Sequence, residues 1–165
     1  DGSAVLTKIS TIPKGARSRA WMGHSDLSEY TISADVRGAR MSDQLPDIGL
    51  TGHGYVLDLM GESQQLQIRS WSAQLRMAKT IKFPWKEDTW YRMKFRVDIE
   101  SEPPAAVAVL RGKVWPRGDQ EPKEWTITTR DESPNMASSP GLYGNAKVSE
   151  LYLDNVEITA NTDEP

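Results

Sequence analysis

The sequence predicts an all-β fold, in which two antiparallel sheets pack face to face as a β-sandwich of the jelly-roll type. Apolar and polar residues alternate with a period of two along most of the chain, and no segment shows the 3.6-residue period of an amphipathic helix. Turn residues recur about every 8–12 positions. Six Trp in 165 residues supply large apolar side chains for a core between two sheets.

The composition argues against several classes of function. We expect one domain, residues 1–165, which at this length can bury a core without a disulfide or a metal. The absence of Cys excludes thiol nucleophiles and Cys-based zinc sites. Basic and acidic residues are interspersed at a net charge of -3, which argues against nucleic-acid binding. No apolar run approaches the roughly 20 residues of a membrane helix. Because the chain begins without Met, we expect a mature or excised domain.

The first half is predicted to supply short strands separated by turns. Pro13 and Gly15 mark a turn over Thr11–Ser18, and a polar loop is expected over Gly38–Pro46. The tripeptide 52–54, Gly-His-Gly, has the chemistry of a hairpin turn. The predicted strands are Ala4–Ser10, Arg19–Gly23, Tyr30–Arg37, Asp47–Thr51, Tyr55–Met60 and Leu66–Trp71.

The second half contains the clearest alternation, over Trp90–Ile99. Its odd positions from 91 to 99 are apolar and its even positions polar, which is typical of a central strand with one wet face. A β-ribbon follows around Leu110–Trp125, with one Trp on each arm and a polar loop between them. The remaining predicted strands are Met77–Phe83, Ala105–Trp115, Glu124–Arg130, Gly141–Gly144 and Val148–Thr159. We expect residues 161–165 to be a frayed tail.

Several short stretches resemble a known family. They are Thr89–Lys94, Gly112–Trp115 with Glu121-Pro122 and Trp125, Gly141–Gly144 with Leu153–Val156, and Tyr55–Gly61 with Gln65–Trp71. In this order they resemble the concanavalin A-like lectin and glucanase sandwich. Within it they are similar to laminin-G-like and keto-disaccharide-hydrolase-like domains, and closest to the domain appended to bacterial pyrroloquinoline-quinone-type β-propeller repeat proteins. The resemblance covers roughly residues 30–159.

The resemblance implies a convex and a concave sheet, with the concave face as the usual glycan groove. It also implies a periplasmic or extracellular protein of a bacterium. An oligo- or polysaccharide would then be the ligand, and the chain's own β-propeller a further partner. No cofactor is implied, apart from the structural calcium that such sandwiches often carry.

No catalytic site is predicted. The glucanase signature Glu-x-Asp-x-x-Glu, which would bring two carboxylates about 5–5.5 Å apart, does not occur. His24 and His53 are the only His, no Ser lies in a nucleophile elbow, and we interpret both His as solvated loop residues. Asp154 is the best carboxylate for a calcium ion. We favour instead a bulge in the closing strand, where Asp154 and Asn155 bond to the backbone.

A ligand surface is predicted from the alternation. Positions on the wet faces of the middle strands and of the ribbon combine aromatic rings with planar polar groups, as sugar sites do. If those strands are neighbours, these residues line one concave surface, and the arginines would also favour an acidic sugar. The predicted ligand-binding residues are Asp58, Gln67, Arg69, Trp71, Arg111, Lys113 and Trp115.

Three functions follow from this sequence. The first is a non-catalytic carbohydrate-binding module. The second is a structural domain that docks on a β-propeller and presents a contiguous apolar patch. The third is a glycoside hydrolase of the keto-disaccharide-hydrolase type, which would need carboxylates that converge in the groove. By alternation only Asp58 is well placed for that role.

Overall fold

The computed structural model describes residues 4–9, 15–70, 75–102 and 105–162, and these form twelve β-strands. The strands are β1 (Leu6–Lys8), β2 (Arg17–Trp21), β3 (Tyr30–Arg40), β4 (Asp47–Gly52), β5 (Tyr55–Met60), β6 (Gln65–Ser70), β7 (Ala78–Lys82), β8 (Tyr91–Glu102), β9 (Ala105–Pro116), β10 (Ile127–Asp131), β11 (Gly141–Asn145) and β12 (Ser149–Ala160). The all-β prediction is confirmed. Within the described ranges no helix is long and apolar enough to cross a membrane.

The strands form two six-stranded antiparallel sheets. Sheet 1 has the order β1-β12-β3-β8-β9-β10, and sheet 2 has the order β2-β11-β4-β5-β6-β7. The chain passes between the sheets repeatedly, so that the terminal strands β1 and β12 lie beside each other in sheet 1. This arrangement confirms the predicted jelly-roll sandwich.

Alternation places the core between the sheets. In β8, the side chains of Met93, Phe95 and Val97 are buried against those of Leu57, Leu59 and Ile68 in sheet 2. The intervening residues of β8 point outwards from sheet 1 and pair with the outward residues of β9. Each strand therefore contributes one face to the core and one to an outer surface.

The β4–β5 hairpin forms as predicted. Its two-residue turn consists of His53 and Gly54, whose φ angles are 51° and 71°, the left-handed pair that a type I′ turn requires. The flanking Gly52 and Tyr55 are paired across the hairpin. The turn sets the register of β4 and β5, and thereby the positions of the polar residues on their outer face.

Several predicted boundaries are wrong. Strand β2 begins at Arg17, inside the predicted turn, and β3 continues to Arg40, inside the predicted loop 38–46. Strand β10 begins at Ile127, so Trp125 precedes the second arm of the ribbon instead of lying in it. In each case pairing with a neighbouring strand extends or shortens the element, and local sequence carries little of that information. Residues 10–14 and 71–74 lie outside the described ranges, with parts of the predicted turn 11–18 and strand 66–71.

Candidate functional site

The predicted ligand residues do not form one surface. Strands β5 and β6, which carry Asp58, Gln67 and Arg69, belong to sheet 2, whereas β9 belongs to sheet 1. The two groups therefore lie on opposite outer faces of the sandwich. The expectation that these strands are neighbours is wrong, because alternation shows which residues share a face but not which sheet a strand joins. Trp71 lies outside the described residues.

The three predicted residues of sheet 1 are engaged in internal contacts. Arg111 forms a 2.6 Å ion pair with Asp98, and Lys113 lies 2.9 Å from Glu121 and 4.4 Å from the centre of the Trp125 ring. Trp115 is only 8% exposed and Lys113 only 6%. The Arg111 ion pair holds β9 to β8, the Lys113 contacts hold the ribbon loop to β9, and a side chain as covered as Trp115 offers no platform for a sugar.

The outer face of sheet 2 contains a polar pocket of about 240 Å³. The register places Tyr143, Gly49, Asp58 and Gln67 side by side across β11, β4, β5 and β6. Because Gly49 has no side chain, the Tyr143 ring lies over it: a Cβ at this position would be 3.0 Å from Tyr143 Cδ1. The pocket, hereafter the sheet-2 pocket, is lined by Arg17, Asp47, Asp58, Met60, Gln67, Arg69, Tyr143 and Asn145.

Asp58 is the most unusual group in the sheet-2 pocket. It is 3% exposed, and its Oδ2 accepts a 3.0 Å hydrogen bond from Arg69 Nη2. Its Oδ1 is buried and has no hydrogen-bond partner among the described residues. Burial raises the pKa of Asp58 to about 6, the nearby charge of Asp47 adds to the rise, and Arg69 and Arg17 oppose it. A buried acceptor without a partner is costly to folding, and the described residues supply no donor to Oδ1.

Asp47 forms the wall beside Asp58. Its Oδ1 accepts a 2.9 Å hydrogen bond from the Gly61 amide, and its Oδ2 accepts one of 3.0 Å from Asn145 Nδ2. These bonds connect the β5–β6 turn and β11 to the start of β4. Asp47 thus ties the rim of the pocket together and presents negative charge to Asp58.

Strand β2 adds residues that sequence reasoning did not assign. Its pairing with β11 places Arg17, Arg19 and Trp21 on the outer face of sheet 2, opposite Asn145, Tyr143 and Gly141. Trp21 is 49% exposed, and its ring lies over Gly141, where an added Cβ would be 2.9 Å from Trp21 Cε3. Alternation over residues 17–21 could have grouped the three side chains. Their position beside β11, which lies about 120 residues further along the chain, depends on long-range pairing.

His53 is a core residue, so its interpretation as a solvated loop residue is wrong. Its side chain is fully buried, its Nε2 accepts a 2.7 Å hydrogen bond from the Glu29 amide, and its ring centre lies 4.9 Å from that of Tyr30. Burial lowers its pKa. The neutral imidazole therefore joins the β4–β5 turn to the start of β3.

The burial of the neutral His53 imidazole predicts that the free energy of unfolding depends on pH. Because the folded-state pKa of His53 lies below its ordinary value of 6.5, its contribution is present above that value and is lost as the pH falls below it. Unfolding measured by urea between about pH 7.5 and 5 should show a flatter slope for His53→Asn than for the native chain. The exposed His24 provides the control, since His24→Asn should keep the native slope; an equal slope for all three proteins would contradict the assignment.

The bulge predicted in the closing strand is present. The register of β12 against β3 shifts between Asp154 and Glu157, and the Asn155 amide donates a 2.8 Å hydrogen bond to Asp154 Oδ1. Asn155 Nδ2 also donates to Asp35 Oδ2 at 2.7 Å. In the part of the chain that the structure describes, no group of three or more His, Asp or Glu is placed to hold a metal ion.

A larger cavity, about 480 Å³, lies at the edge of the sandwich between β1 and β2. Its deepest lining residues are aliphatic: Leu142, Leu151 and Leu153. Residues 10–14, which connect β1 to β2, lie outside the described ranges. The cavity offers no buried polar group comparable to Asp58, and the sheet-2 pocket is therefore the stronger candidate.

Comparisons with known proteins support the fold. No protein-family model matches the chain, and a search of curated proteins finds no similar sequence. Among solved structures, Caenorhabditis elegans galectin LEC-6 matches with a TM-score of 0.55 at 6% identity, over 94% of this chain and 95% of the galectin. A glycoside hydrolase family protein from Mycobacterium thermorestibile matches with a TM-score of 0.51 at 13% identity, over 86% of this chain and 65% of that protein.

A third structure, an uncharacterized protein from Mycobacterium paratuberculosis, matches with a TM-score of 0.52 at 10% identity, over 96% of this chain and 93% of that protein. The chain thus has a β-sandwich fold like those of this galectin and this glycoside hydrolase family protein. At these identities the likeness extends to the fold alone. Any activity has to be argued from the residues of this chain.

Proposed function

We propose that this chain binds a glycan on the outer face of sheet 2. The observation that carries the proposal is Asp58, a buried residue that lines a polar pocket and whose Oδ1 has no hydrogen-bond partner among the described residues. A sugar hydroxyl is a donor of the right size and strength for such an oxygen. Because Arg69 holds Oδ2, the carboxylate is fixed in orientation before a ligand arrives.

The surroundings of Asp58 suit a sugar. The amide of Gln67 donates a 2.8 Å hydrogen bond to Thr80 Oγ1, which leaves its carbonyl oxygen for a ligand hydroxyl. The exposed ring of Trp21 offers a flat apolar surface on the same face, of the kind that stacks on the C–H face of a pyranose. Polar groups that orient hydroxyls and an aromatic ring that accepts the apolar face are the two parts of a sugar site.

The Trp21 ring provides the direct test. Trp21→Ala should weaken glycan binding roughly tenfold, which corresponds to about 1.4 kcal/mol, while changing the unfolding free energy little because the ring is half exposed. The measurement is a titration of the intrinsic Trp fluorescence with soluble neutral and acidic polysaccharides, repeated by calorimetry for any that bind.

The matched control is Trp125→Ala, which removes a half-buried Trp from the opposite face. It should leave the affinity at the native value. Binding that persists in Trp21→Ala but disappears in Trp125→Ala would place the ligand on sheet 1 and refute the proposal. An absence of binding to every polysaccharide would also refute it.

A second candidate is hydrolysis of the bound glycan. It is favoured by the occurrence of two carboxylates, Asp47 and Asp58, in one pocket, with the pKa of Asp58 raised to about 6, as a general acid requires. Against it, both oxygens of Asp47 accept hydrogen bonds within the protein. An assay for new reducing ends, comparing the native chain with Asp58→Asn, separates binding alone from hydrolysis.

Docking on a β-propeller has less support. It would require a contiguous apolar patch. The exposed Trp21 is instead followed along its own face of β2 by the charged Arg19 and Arg17. Association with a propeller, and export from the cytoplasm, stay predictions.

A further inference from the structure

Two guanidinium groups, those of Arg17 and Arg69, line the sheet-2 pocket, and a third, that of Arg19, lies beside it on the same outer face. Arg17 and Arg19 are two residues apart on β2 and share its outer face, and Arg69 approaches from β6. The Cζ atoms of Arg19 and Arg69 lie 6.0 and 5.5 Å from the centre of the Tyr143 ring, so the two groups flank one aromatic side chain. Like charges at such spacing repel each other, and the repulsion is strongest where protein excludes water.

The guanidinium charges also act on one another. Burial lowers the pKa of Arg19, the Tyr143 hydroxyl opposes that effect, and the positive charges of Arg69 and Arg17 lower the pKa further. A cluster of mutually repelling cations is relieved when an anion binds between them. The cluster formed by Arg17, Arg19 and Arg69 should therefore bind an anionic ligand with a more favourable free energy than a neutral one.

The carboxylates and the arginines of β2 lie at different places on this face. Asp58 is paired with Arg69, and Asp47 accepts hydrogen bonds from Gly61 and Asn145. Arg17 and Arg19 are both exposed to solvent, so a ligand can reach them. They extend from β2, whereas the buried carboxylate of Asp58 lies on β5.

We propose that the ligand is an acidic glycan, whose carboxylate or sulfate group is held by Arg17 and Arg19 while its ring hydroxyls bond to Asp58 and Gln67. This inference rests on the proposed function and names its ligand class. The planar fork of a guanidinium matches the paired oxygens of both anions. Asp58 repels an anion from its own side of the pocket, which orients the sugar with its charged group towards β2.

The experiment is a calorimetric titration of the whole chain with oligosaccharides of matched length. They comprise oligogalacturonate and oligoalginate, which carry carboxylates, a sulfated oligocarrageenan, and the methyl ester of oligogalacturonate, which is neutral. We expect at least one acidic class to bind about tenfold or more tightly than the neutral ester at low salt, with an affinity that falls as salt screens the charges. The carboxylated and sulfated arms then identify the anion.

Substitutions of single arginines test where the acidic ligand binds. Arg17→Gln and Arg19→Gln should each weaken the acidic ligand about fivefold or more, and should weaken the neutral ester by a clearly smaller factor. The control is Arg130→Gln, which removes an exposed arginine of β10 in sheet 1, paired at 2.6 Å with Glu100. This variant should bind like the native chain.

Three results would overturn the inference. Equal affinity for the acid and its methyl ester would show a glycan site without preference for charge, and the proposed function would stand. An equal loss in Arg130→Gln and in the β2 variants would show general attraction to a charged polymer. A lack of binding to all four oligosaccharides would remove the inference together with the proposed function.

Discussion

Asp58→Asn is expected to stabilise the chain by about 3 kcal/mol near neutral pH. Folding raises the pKa of this carboxyl from 3.8 to about 6, and each pKa unit corresponds to roughly 1.4 kcal/mol. The cause is burial of a charge for which the described residues supply one hydrogen bond, from Arg69. Asparagine has nearly the same shape and carries no charge, so the variant avoids most of the desolvation cost.

The stability difference between Asp58→Asn and the native chain is expected to depend on pH. The folded chain binds the Asp58 proton more tightly than the unfolded chain, so the contribution of this group to stability falls as the pH rises from 3.8 to about 6 and is then constant. The advantage of Asp58→Asn should therefore be full above pH 6 and small near pH 4. Chemical denaturation at about pH 7.5 and pH 4 measures both limits.

The matched control is Asp35→Asn on the outer face of sheet 1. Asp35 is also buried, but its oxygens are bonded to Arg92 at 3.3 Å, Arg117 at 3.2 Å and Asn155 at 2.7 Å. Removing this charge breaks the ion pairs with both arginines, of which Arg92 keeps a second pair with Glu157 at 3.2 Å, and should destabilise the chain by about 3 kcal/mol. If both variants were destabilised alike, Asp58 would be a structural ion-pair residue, and its role in the proposed site would be refuted.

If Asp58→Asn stabilises the chain and Asp35→Asn destabilises it, the difference also bears on function. A protein that keeps a destabilising carboxylate in a pocket retains a group whose benefit appears only with a ligand. We therefore expect Asp58→Asn to bind glycan more weakly than the native chain while it unfolds at higher denaturant concentration.

Gly61→Ala is expected to destabilise the chain by roughly 3 kcal/mol or more. A Cβ at this position would meet backbone atoms of the preceding loop, including Pro46 O and, at 2.5 Å, Leu45 O. Backbone that is tied into β4 cannot move aside as a flexible side chain can. The Gly61 amide also donates to Asp47 Oδ1, so displacing the loop should loosen the rim of the sheet-2 pocket.

Gly52→Ala tests whether the effect is steric. The nearest atoms to a Cβ there, Phe95 Cδ1 and Tyr30 Cε2, are both 3.5 Å away, which is an ordinary contact distance. Gly52 does not have a positive φ, so alanine should be neutral or should stabilise by up to about 1 kcal/mol through the unfolded state. Thermal unfolding of the two variants compares them directly. Equal losses would mean that glycine is needed at both sites for backbone freedom, contrary to the steric account.

Much of the fold was predictable because strand alternation is a local property. The alternation over residues 91–98 requires only that one face be apolar, and the structure buries that face. The two-residue hairpin turn at His53 and Gly54 follows from the same short-range logic. Boundaries were less accurate where pairing with a distant strand decides them, as at Arg17, which enters β2 opposite Asn145.

The candidate site was only partly predictable. Asp58, Gln67 and Arg69 were identified because neighbouring hairpin strands must place their outward residues together. Arg111, Lys113 and Trp115 were assigned to the same surface by an assumption about neighbouring strands that the sheet order contradicts. Arg17, Trp21 and Tyr143 were missed, because they reach the site through pairing of β2 with β11 and of β11 with β4.

The sequence by itself determined the fold class, the hairpins and the division of each strand into a buried and an outer face, since these depend on residues a few positions apart. Only the tertiary structure decided which strands share a sheet, which carboxylate lacks a partner and where the arginines gather. Those features depend on contacts between residues far apart in the chain, and a period-two pattern contains no information about them.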